Sequence, residues 1–405
     1  MKTTKIQDKP LNIAIFSNLY PPIPSGSSSF TWELSRRLVA AKHQVTVITA
    51  QVENSPVYEQ MQGVDVYRLP AIQFPQLALA HNFRWLSYTY TPRNIRNLLD
   101  LFEKKQFDII HQQNHIFDTI LSSSFLARKK QLPLILTVHT CVHHPNRLFN
   151  TVLAALDALS RKVIFDRSDS VVCPDPVSKK YVEIRHRIPD SPIIPYGVEV
   201  PSPNKDSVKN IQEKYNLSKK RVLLSLGHVN DMRDRMDLIQ AISQIIQVFP
   251  DVRLLIVGDV HIQKPVEMVK KLGLEDHVIF TGAVPHDQIP AYFSLAEIEV
   301  HTFKGPYPGP GIASMEAMSA GLAVVTGEID KTYDYSHFLN WENVVMVPPD
   351  KPDPMSKALI QLLSDNDLRK RIGENARQMM AVRYSWDTVC NDYIKLYRET
   401  ITRRK

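Results

Sequence analysis

The residues best placed for ligand chemistry lie in one stretch, 301–325, where a strand-like run leads into a glycine- and proline-rich turn and then a helix-like segment. Gly309 and Gly311 would let a ligand approach the backbone closely. The N–H groups of the first helical turn, beginning at Ile312, and the helix dipole favour an anion. Glu316 is the one acid of the helix and needs a polar partner, for which a ribose diol is suitable. The stretch predicts a phosphate and ribose site, with an ordinary turn as the alternative.

A second turn of the same kind follows another strand-like run and carries the cation that a diphosphate would need. It reads G-H-V-N-D-M-R from Gly227 to Arg233, and it includes His228. Arginine binds phosphate in a bidentate manner, so Arg233 is the predicted diphosphate ligand. A solvated charge cluster is the alternative. Gly258 and Gly282 end two further strand-like runs, and we expect their loops to contribute to the same donor site.

The first half of the chain offers two residues for a sugar. Gly26 lies in a serine-rich loop ahead of a predicted helix, which suits a phosphate or a sugar hydroxyl or forms a plain turn. His139 ends a strand-like run and is a candidate hydrogen-bond donor to a sugar. Five histidines are dense here, but their spacing matches no usual zinc motif, so we expect no metal site. These histidines are His111, His115, His139, His143 and His144.

The net positive charge of the chain arises entirely from its first half, which suggests an anionic partner. Residues 1–200 carry 23 Lys and Arg against 16 Asp and Glu, and the remainder is balanced. Within this half, the segment 149–167 has apolar residues at helical spacing, flanked by Arg161, Lys162 and Arg167. Such a stripe either faces the core or lies on an anionic membrane. We expect no nucleic-acid partner.

Length and composition indicate a globular chain of two domains. It has 405 residues, 43% of them hydrophobic and 22% charged. No apolar run approaches the roughly 18–20 residues that a spanning helix needs. The N-terminus lacks the apolar core of a signal peptide, and three separated cysteines favour a reducing compartment. We therefore expect a cytoplasmic protein, peripheral on the inner face of the plasma membrane.

Strand-like and helix-like segments alternate along the chain, which predicts right-handed βαβ units and parallel sheets in an α/β fold. A proline-, serine- and charge-rich break follows Gly197, and the alternation then restarts. We therefore predict a first domain over 1–197, a linker over 198–209, a second domain over 210–380 and a C-terminal helix over 381–405 that packs back on the first domain. Two such domains face to face would put their strand ends on one cleft.

Several short motifs in this order and spacing resemble retaining glycosyltransferases of family 4, which have the GT-B fold of two Rossmann-like domains facing a central cleft. The resemblance covers about 370 residues and rests on these segments: Y-P-P-I-P-S-G at 20–26, F-D-I-I-H at 107–111, T-V-H-T at 137–140, I-I-P-Y-G-V at 193–198, L-L-S-L-G-H-V at 223–229, L-L-I-V-G-D at 254–259, V-I-F-T-G-A-V at 278–284 and M-E-A-M-S-A-G-L-A-V-V at 315–325.

The resemblance implies roles for the residues that match. The second domain would hold a UDP- or GDP-sugar donor and the first an acceptor, with no cofactor and no obligatory metal. Glu316 resembles the second acid of a Glu-x7-Glu motif, which holds the ribose. His139 resembles a histidine beside the donor sugar, and Arg233 stands where a lysine usually binds the diphosphate. Gly26 resembles a donor-facing glycine.

Two departures from the family pattern bear on activity. Pro308 stands where the first acid of the motif is expected, and His228 stands where an arginine is expected. A histidine is only partly charged near neutral pH, so diphosphate neutralisation is weaker. We predict a retaining hexosyltransferase in which His139, Arg233 and Glu316 serve catalysis and the acceptor is lipid-linked or a glycan polymer. The alternatives are a non-catalytic homologue that serves as a partner subunit, and a sugar-nucleotide epimerase or phosphorylase.

Overall fold

The computed structural model describes residues 9–52, 54–80, 83–301 and 309–404. The chain forms two compact units, the first comprising Met1–Gly197 with Trp386–Lys405 and the second comprising Val198–Ser385. Each unit is built on one main parallel sheet with helices packed against it, as the alternation of elements predicts.

The first unit contains a seven-stranded sheet and a two-stranded one. Its strands are β1 Asn12–Ser17, β2 Gln44–Ala50, β3 Tyr58–Met61, β4 Val64–Leu69, β5 Ile72–Gln73, β6 Ser87–Tyr88, β7 Ile109–Gln113, β8 Leu134–Thr137 and β9 Ser170–Val172. The main sheet has the order β3-β4-β2-β1-β7-β8-β9, and β5 pairs with β6. The central strands are buried on both faces and consist mainly of apolar residues, as parallel strands covered by helices require.

The helices of the first unit include one from the far end of the chain. They are α1 Gly26–Ala40, α2 Pro92–Lys104, α3 Thr119–Lys130, α4 Arg147–Val163, α5 Pro176–His186 and the C-terminal helix, α13 Trp386–Arg404. Tyr393 and Tyr397 of α13 are fully buried in the first unit. The hydroxyl of Tyr397 lies 2.7 Å from Nδ1 of His111, and that of Tyr393 lies 3.1 Å from Oγ1 of Thr137. The C-terminal helix therefore completes the core of the first unit.

The described residues of the second unit form a six-stranded sheet in which all strands run parallel. The strands are β10 Arg221–Leu226, β11 Val252–Val257, β12 Val278–Gly282, β13 Ile298–His301, β14 Ala323–Gly327 and β15 Val345–Val347. Their order is β12-β11-β10-β13-β14-β15. The helices are α6 Lys205–Lys214, α7 Met236–Ile245, α8 Lys264–Lys271, α9 Ile289–Leu295, α10 Ile312–Ser319, α11 Pro352–Ser364 and α12 Asn366–Arg383.

The structure departs from the sequence prediction in three places. The edge strand β3 pairs antiparallel with β4, so the first sheet is not wholly parallel. The strand-like run I-I-P at 193–195, which the alternation predicts as a further strand, is reduced to one bridge between Cys173 and Ile193. The predicted linker over 198–209 is too long, because Asn204 caps a helix that begins at Lys205.

Candidate functional site

The loops that follow β10 and β11 are joined at the carboxyl edge of the second sheet, where ligands bind in open α/β sheets. The N–H of Val229 donates to the carbonyl of Asp259 at 2.8 Å, and the N–H of His261 donates to the carbonyl of Val229 at 2.9 Å. A Cβ added to Gly258 would lie 2.6 Å from the carbonyl carbon and oxygen of Gly227. Gly258 is therefore required so that the two turns can meet.

Arg233 closes a tight turn over the end of β10. The side-chain oxygen of Asn230 accepts hydrogen bonds from the N–H groups of Arg233 at 3.0 Å and Met232 at 3.1 Å. Nη1 of Arg233 lies beside Gly227, 3.3 Å from where a Cβ on that glycine would stand. The half-buried guanidinium thus faces the turn at which the sequence predicts a diphosphate.

Arg235 is a second cation in this turn that the sequence interpretation missed, because it lies in a run of alternating charges. It is 1% exposed. Its guanidinium donates to the carbonyls of Arg233 at 3.2 Å, Gly227 at 3.4 Å and Leu226 at 3.5 Å. Arg235 therefore holds the backbone of the turn that presents Arg233, and it adds positive charge beneath it.

Two glycines, Gly309 and Gly311, precede α10, and they differ in their surroundings. Gly311 is the N-cap, without a side-chain cap among the described residues, and Ile312 is 47% exposed. A Cβ on Gly309 would lie 2.4 Å from the ring of Tyr335, so this glycine is required by packing. The departure at Pro308 lies outside the described residues.

Glu316 has a protein partner that sequence reasoning did not identify. Its Oε1 lies 3.5 Å from Nε2 of His286, and the side chains are 14% and 83% exposed, respectively. The hydrogen bond to Glu316 raises the pKa of His286 above its ordinary value, although burial opposes the shift. An exposed histidine is an easily displaced partner, so Glu316 remains available to a ribose.

We expect nucleotide binding to depend on pH through His286. Its raised pKa means that the contact with Glu316 is complete at low pH and is lost as the pH rises through that pKa. A ribose that takes the place of His286 should therefore bind more tightly at about pH 8 than at about pH 6. Calorimetric titration of UDP and GDP should show this trend in the native chain and lose it in His286→Ala. The same slope in both proteins would contradict the assignment.

Glu299 and His301 form a buried polar pair in β13, beneath the start of α10. Both are at most 1% exposed, and Nδ1 of His301 lies 3.7 Å from Oε1 of Glu299. Among the described residues, neither carboxylate oxygen of Glu299 has a hydrogen-bond partner. In the sequence, the signal for this pair was the alternation of Glu299 and His301 with the apolar Ile298 and Val300 in one strand. The pair places a carboxyl group inside the core of the second unit.

His139 and Gly26 lie in the first unit. Nε2 of His139 lies 2.6 Å from Oε1 of Gln113 and therefore carries the proton, whereas Nδ1 lies 3.0 Å from the hydroxyl of Tyr196. Both ring nitrogens thus have protein partners, and burial lowers the pKa of His139 to about 3. Gly26 is the first residue of α1, where a Cβ would meet open space. The predicted contacts of both residues with a sugar stay predictions.

The dense histidines of the first unit do not form one cluster. His115 instead joins Asp157 and His186, with 3.1 Å and 3.2 Å between their nearest nitrogen and oxygen atoms. Nε of Arg185 lies 2.9 Å from the other oxygen of Asp157. Burial alone would raise the pKa of Asp157, but the bonds from His115, His186 and Arg185 hold it well below its usual range. The cluster anchors α4, which carries Asp157, to the body of the unit.

We expect the first unit to lose stability in mild acid. Burial lowers the pKa of His111 and of His139 to about 3, far below the value of about 6.5 in an unfolded chain. The unfolded chain therefore takes up protons that the folded unit does not, so stability is present above about pH 6.5 and lost as the pH falls. Urea unfolding at several values between pH 5 and pH 7.5 should show the midpoint falling, less steeply in His139→Gln. A midpoint that stays constant would contradict this.

Much of the apolar stripe of α4 points away from the core. Within the segment 149–167, Val152, Leu156 and Leu159 are 40%, 54% and 63% exposed, and Leu148, directly before the segment, is 70% exposed. The buried residues of the helix itself are Asp157 and Ser160, whereas Ile164, at its C-terminal end, is buried in the core. The core-facing interpretation therefore fails for the middle of the stripe and holds for its end, because periodicity shows that a helix has two faces but not which face is buried.

The cations flanking this stripe are accessible. Arg161 forms a 3.3 Å ion pair with Asp166, whereas Lys162 and Arg167 are exposed. Leucines with adjacent lysine and arginine side chains are typical of helices that lie in a membrane interface. Among the described residues, no helix is long and apolar enough to cross a membrane.

Two α/β units, each built on a mainly parallel sheet covered by helices, are the architecture of the GT-B fold. A solved structure of Anabaena HepE in complex with UDP superposes with a TM-score of 0.69 at 14% identity, covering 96% of this chain and 100% of HepE. This likeness confirms the fold class.

The family follows from sequence comparison. The family described as Glycosyl transferases group 1 matches residues 207–379, and that described as Glycosyltransferase Family 4 matches residues 24–200. Each half of the chain thus matches a glycosyltransferase family, and the two matches together span most of the chain.

Two relatives extend over much of the chain. An uncharacterized glycosyltransferase of Methanocaldococcus jannaschii is 24% identical over 399 residues, which cover 96% of this chain and 98% of the relative. Alpha-monoglucosyldiacylglycerol synthase of Streptococcus pneumoniae is 23% identical over 326 residues, which cover 78% of this chain and 70% of the synthase.

Proposed function

We propose that this protein transfers a hexose from a nucleoside diphosphate sugar to a lipid-linked or glycan acceptor at a membrane surface, with retention of anomeric configuration. The observation that carries the proposal is the placement of three groups at the carboxyl edge of one parallel sheet. Arg233 lies in the loop after β10, and Glu316 and the N-terminus of α10 follow the neighbouring strand β13. These groups supply what a nucleoside diphosphate requires. They are a cation, a carboxylate that accepts hydrogen bonds from the ribose hydroxyls, and backbone N–H groups that donate hydrogen bonds to the phosphates.

Arg233 and the first turn of α10 would bind the diphosphate and stabilise the charge that develops as it leaves. Preorganised donors aimed at developing charge are usually the largest contribution to catalysis. Arg235 keeps the turn in place through its bonds to three carbonyls. Glu316 would release His286 and accept hydrogen bonds from the ribose hydroxyls. This arrangement requires no obligatory metal.

The sugar transfer itself would proceed without a carboxylate nucleophile. The acceptor hydroxyl would lose its proton to the departing phosphate oxygen as the new glycosidic bond forms and the bond to the diphosphate breaks. His139 would donate through Nε2 to the sugar after exchanging its present partner, Gln113. Its low pKa keeps the ring neutral, so it orients the sugar without adding charge.

The exposed stripe of α4 supports an acceptor that is presented by a membrane. Four exposed apolar side chains on one helix, with Lys162 and Arg167 exposed at its end, match a surface of anionic lipid. The relative from Streptococcus pneumoniae is named for a glucosylated diacylglycerol. A peripheral membrane position and a glycolipid product are therefore part of the proposal.

The test is a transfer assay with radiolabelled UDP- and GDP-sugars and vesicles of extracted membrane lipid. We expect label to enter the lipid fraction with one donor and to be absent with Glu316→Ala. Absence of both transfer and donor hydrolysis with every donor would overturn the proposed activity.

A non-catalytic partner subunit is the second candidate, and two observations favour it. Pro308 replaces an expected acid, and both ring nitrogens of His139 are occupied. This candidate predicts that UDP or GDP binds in calorimetry while no sugar nucleotide is consumed. Turnover of any donor would exclude it.

A further inference from the structure

Three side chains with metal-binding atoms meet on the surface of the second unit. The ligand atoms of His228, Asp259 and His261 all lie within 4.8 Å of one another, and all three residues are exposed. The rings of the two histidines have centroids 5.3 Å apart, and Nδ1 of His228 lies 3.7 Å from Oδ2 of Asp259. We infer that these residues form a binding site for a divalent transition-metal ion such as Zn²⁺.

The backbone that carries this triad is held in place, so only the side chains need to adjust. Val229 and Val260, the neighbours of the three residues, form a bridge between the two loops. Hydrogen bonds of 2.8 Å and 2.9 Å flank the bridge. The close approach of Gly258 to Gly227 holds the same two turns together where strands β11 and β10 end. The triad is therefore preorganised by two adjacent loops, although His228 lies on a different loop from Asp259 and His261.

The donor set suits a metal ion once one hydrogen bond is exchanged. Nδ1 of His228 accepts a hydrogen bond from the N–H of Asp259 at 3.2 Å, so an ion bound through this nitrogen would replace that bond. Two imidazoles and a carboxylate are a common donor set for Zn²⁺, and three protein ligands leave positions open to water or a substrate.

The buried triad of the first unit has the same residue types but does not suit a metal ion. Asp157 already binds the guanidinium of Arg185 through its second oxygen at 2.9 Å. Its histidines are fully enclosed, and a second cation beside Arg185 would be repelled. Among the described clusters, the exposed triad is the one that an ion can enter.

The position of the triad gives the ion a role in donor binding, and this part of the inference rests on the proposed function. His228 directly follows Gly227, the residue beside which Nη1 of Arg233 lies. An ion on His228 would supply positive charge to the diphosphate and leave open positions for its oxygens. The ion is accessory, since Arg233 and α10 bind the diphosphate in its absence.

The site is tested with the full chain and Co²⁺, whose absorption spectrum reports its coordination. We expect one ion to bind with the spectrum of a mixed nitrogen and oxygen site, and its affinity to fall at least about tenfold in His261→Ala and in Asp259→Asn. His143→Ala, which removes an exposed histidine elsewhere, is the matched control and should bind as the native chain does. Equal binding in all four proteins, or no binding in the native chain, would overturn the site.

The link to the donor is tested by titrating UDP with and without Zn²⁺. Because coupling between two ligands is reciprocal, Zn²⁺ should raise UDP affinity about fivefold or more, and UDP should raise metal affinity by the same factor. The effect should disappear in His261→Ala. Metal binding with no change in UDP affinity would overturn this link while the proposed function stands. A chain that binds Zn²⁺ but never UDP would instead refute the proposed function.

Discussion

Replacing Arg233 with alanine is expected to lower the affinity for UDP and GDP by about ten- to hundredfold. A hydrogen bond to a charged group contributes about 1.5–3 kcal/mol, and each 1.4 kcal/mol is a factor of about ten. Arg233 is fixed over the turn after β10 by Asn230 and has Gly227 beside its Nη1. Its removal leaves the diphosphate facing Arg235, whose guanidinium is turned toward backbone carbonyls.

Calorimetry of the native chain and three variants makes this prediction specific. Arg233→Lys keeps the charge but loses bidentate geometry, so it should fall between the native chain and Arg233→Ala. Arg371→Ala removes an exposed arginine of α12 and should bind as the native chain does. Unchanged affinity in Arg233→Ala would show that the diphosphate does not bind at this turn.

Replacing Leu148, Leu156 and Leu159 together with serine is expected to lower binding to anionic vesicles by about a hundredfold or more. Burying a leucine side chain contributes about 1.5–3 kcal/mol, and three of them act together on one helix face. These side chains are 70%, 54% and 63% exposed, so the folded unit loses little packing. The melting temperature should therefore change little while vesicle binding is lost.

The second unit supplies a matched control for this variant. Val248, Leu272 and Val382 are 54%, 41% and 70% exposed, and their replacement with serine should leave vesicle binding unchanged. Because Lys162 and Arg167 attract anionic headgroups, binding of the native chain should weaken as salt is raised. Equal sedimentation of both triple variants with vesicles would contradict the membrane assignment.

Much of the fold was predictable because its signals are local. Continuous apolar runs mark buried parallel strands, and glycine at the ends of β10, β11 and β12 marks the turns at the ligand edge. Arg233 and Glu316 could be placed because Arg233 lies in the turn after a strand that is evident from sequence, and Glu316 lies in a helix that is evident from sequence. The edge strand β3 was missed because its exposed, polar residues carry no core signal.

The remaining features depend on contacts between distant residues. Asp157 meets His115 and His186 from three separate elements, and His286 meets Glu316 across 30 positions, so no local pattern reports either contact. Arg235 resembles its charged neighbours in sequence, and only the direction of its side chain distinguishes it. The orientation of α4 could likewise not be predicted, because the polar residues Asp157 and Ser160 are buried whereas Leu156 and Leu159 are exposed.

Proton NMR of the reaction tests the proposed hexose transfer with retention most directly. The native chain is incubated with α-linked UDP- and GDP-hexoses and lipid vesicles while the anomeric signals are followed. We predict that one donor is consumed and that a new α-anomeric signal appears in the lipid product at the same rate. A β-anomeric product would contradict retention, and a donor that stays intact with every acceptor would contradict the transfer itself.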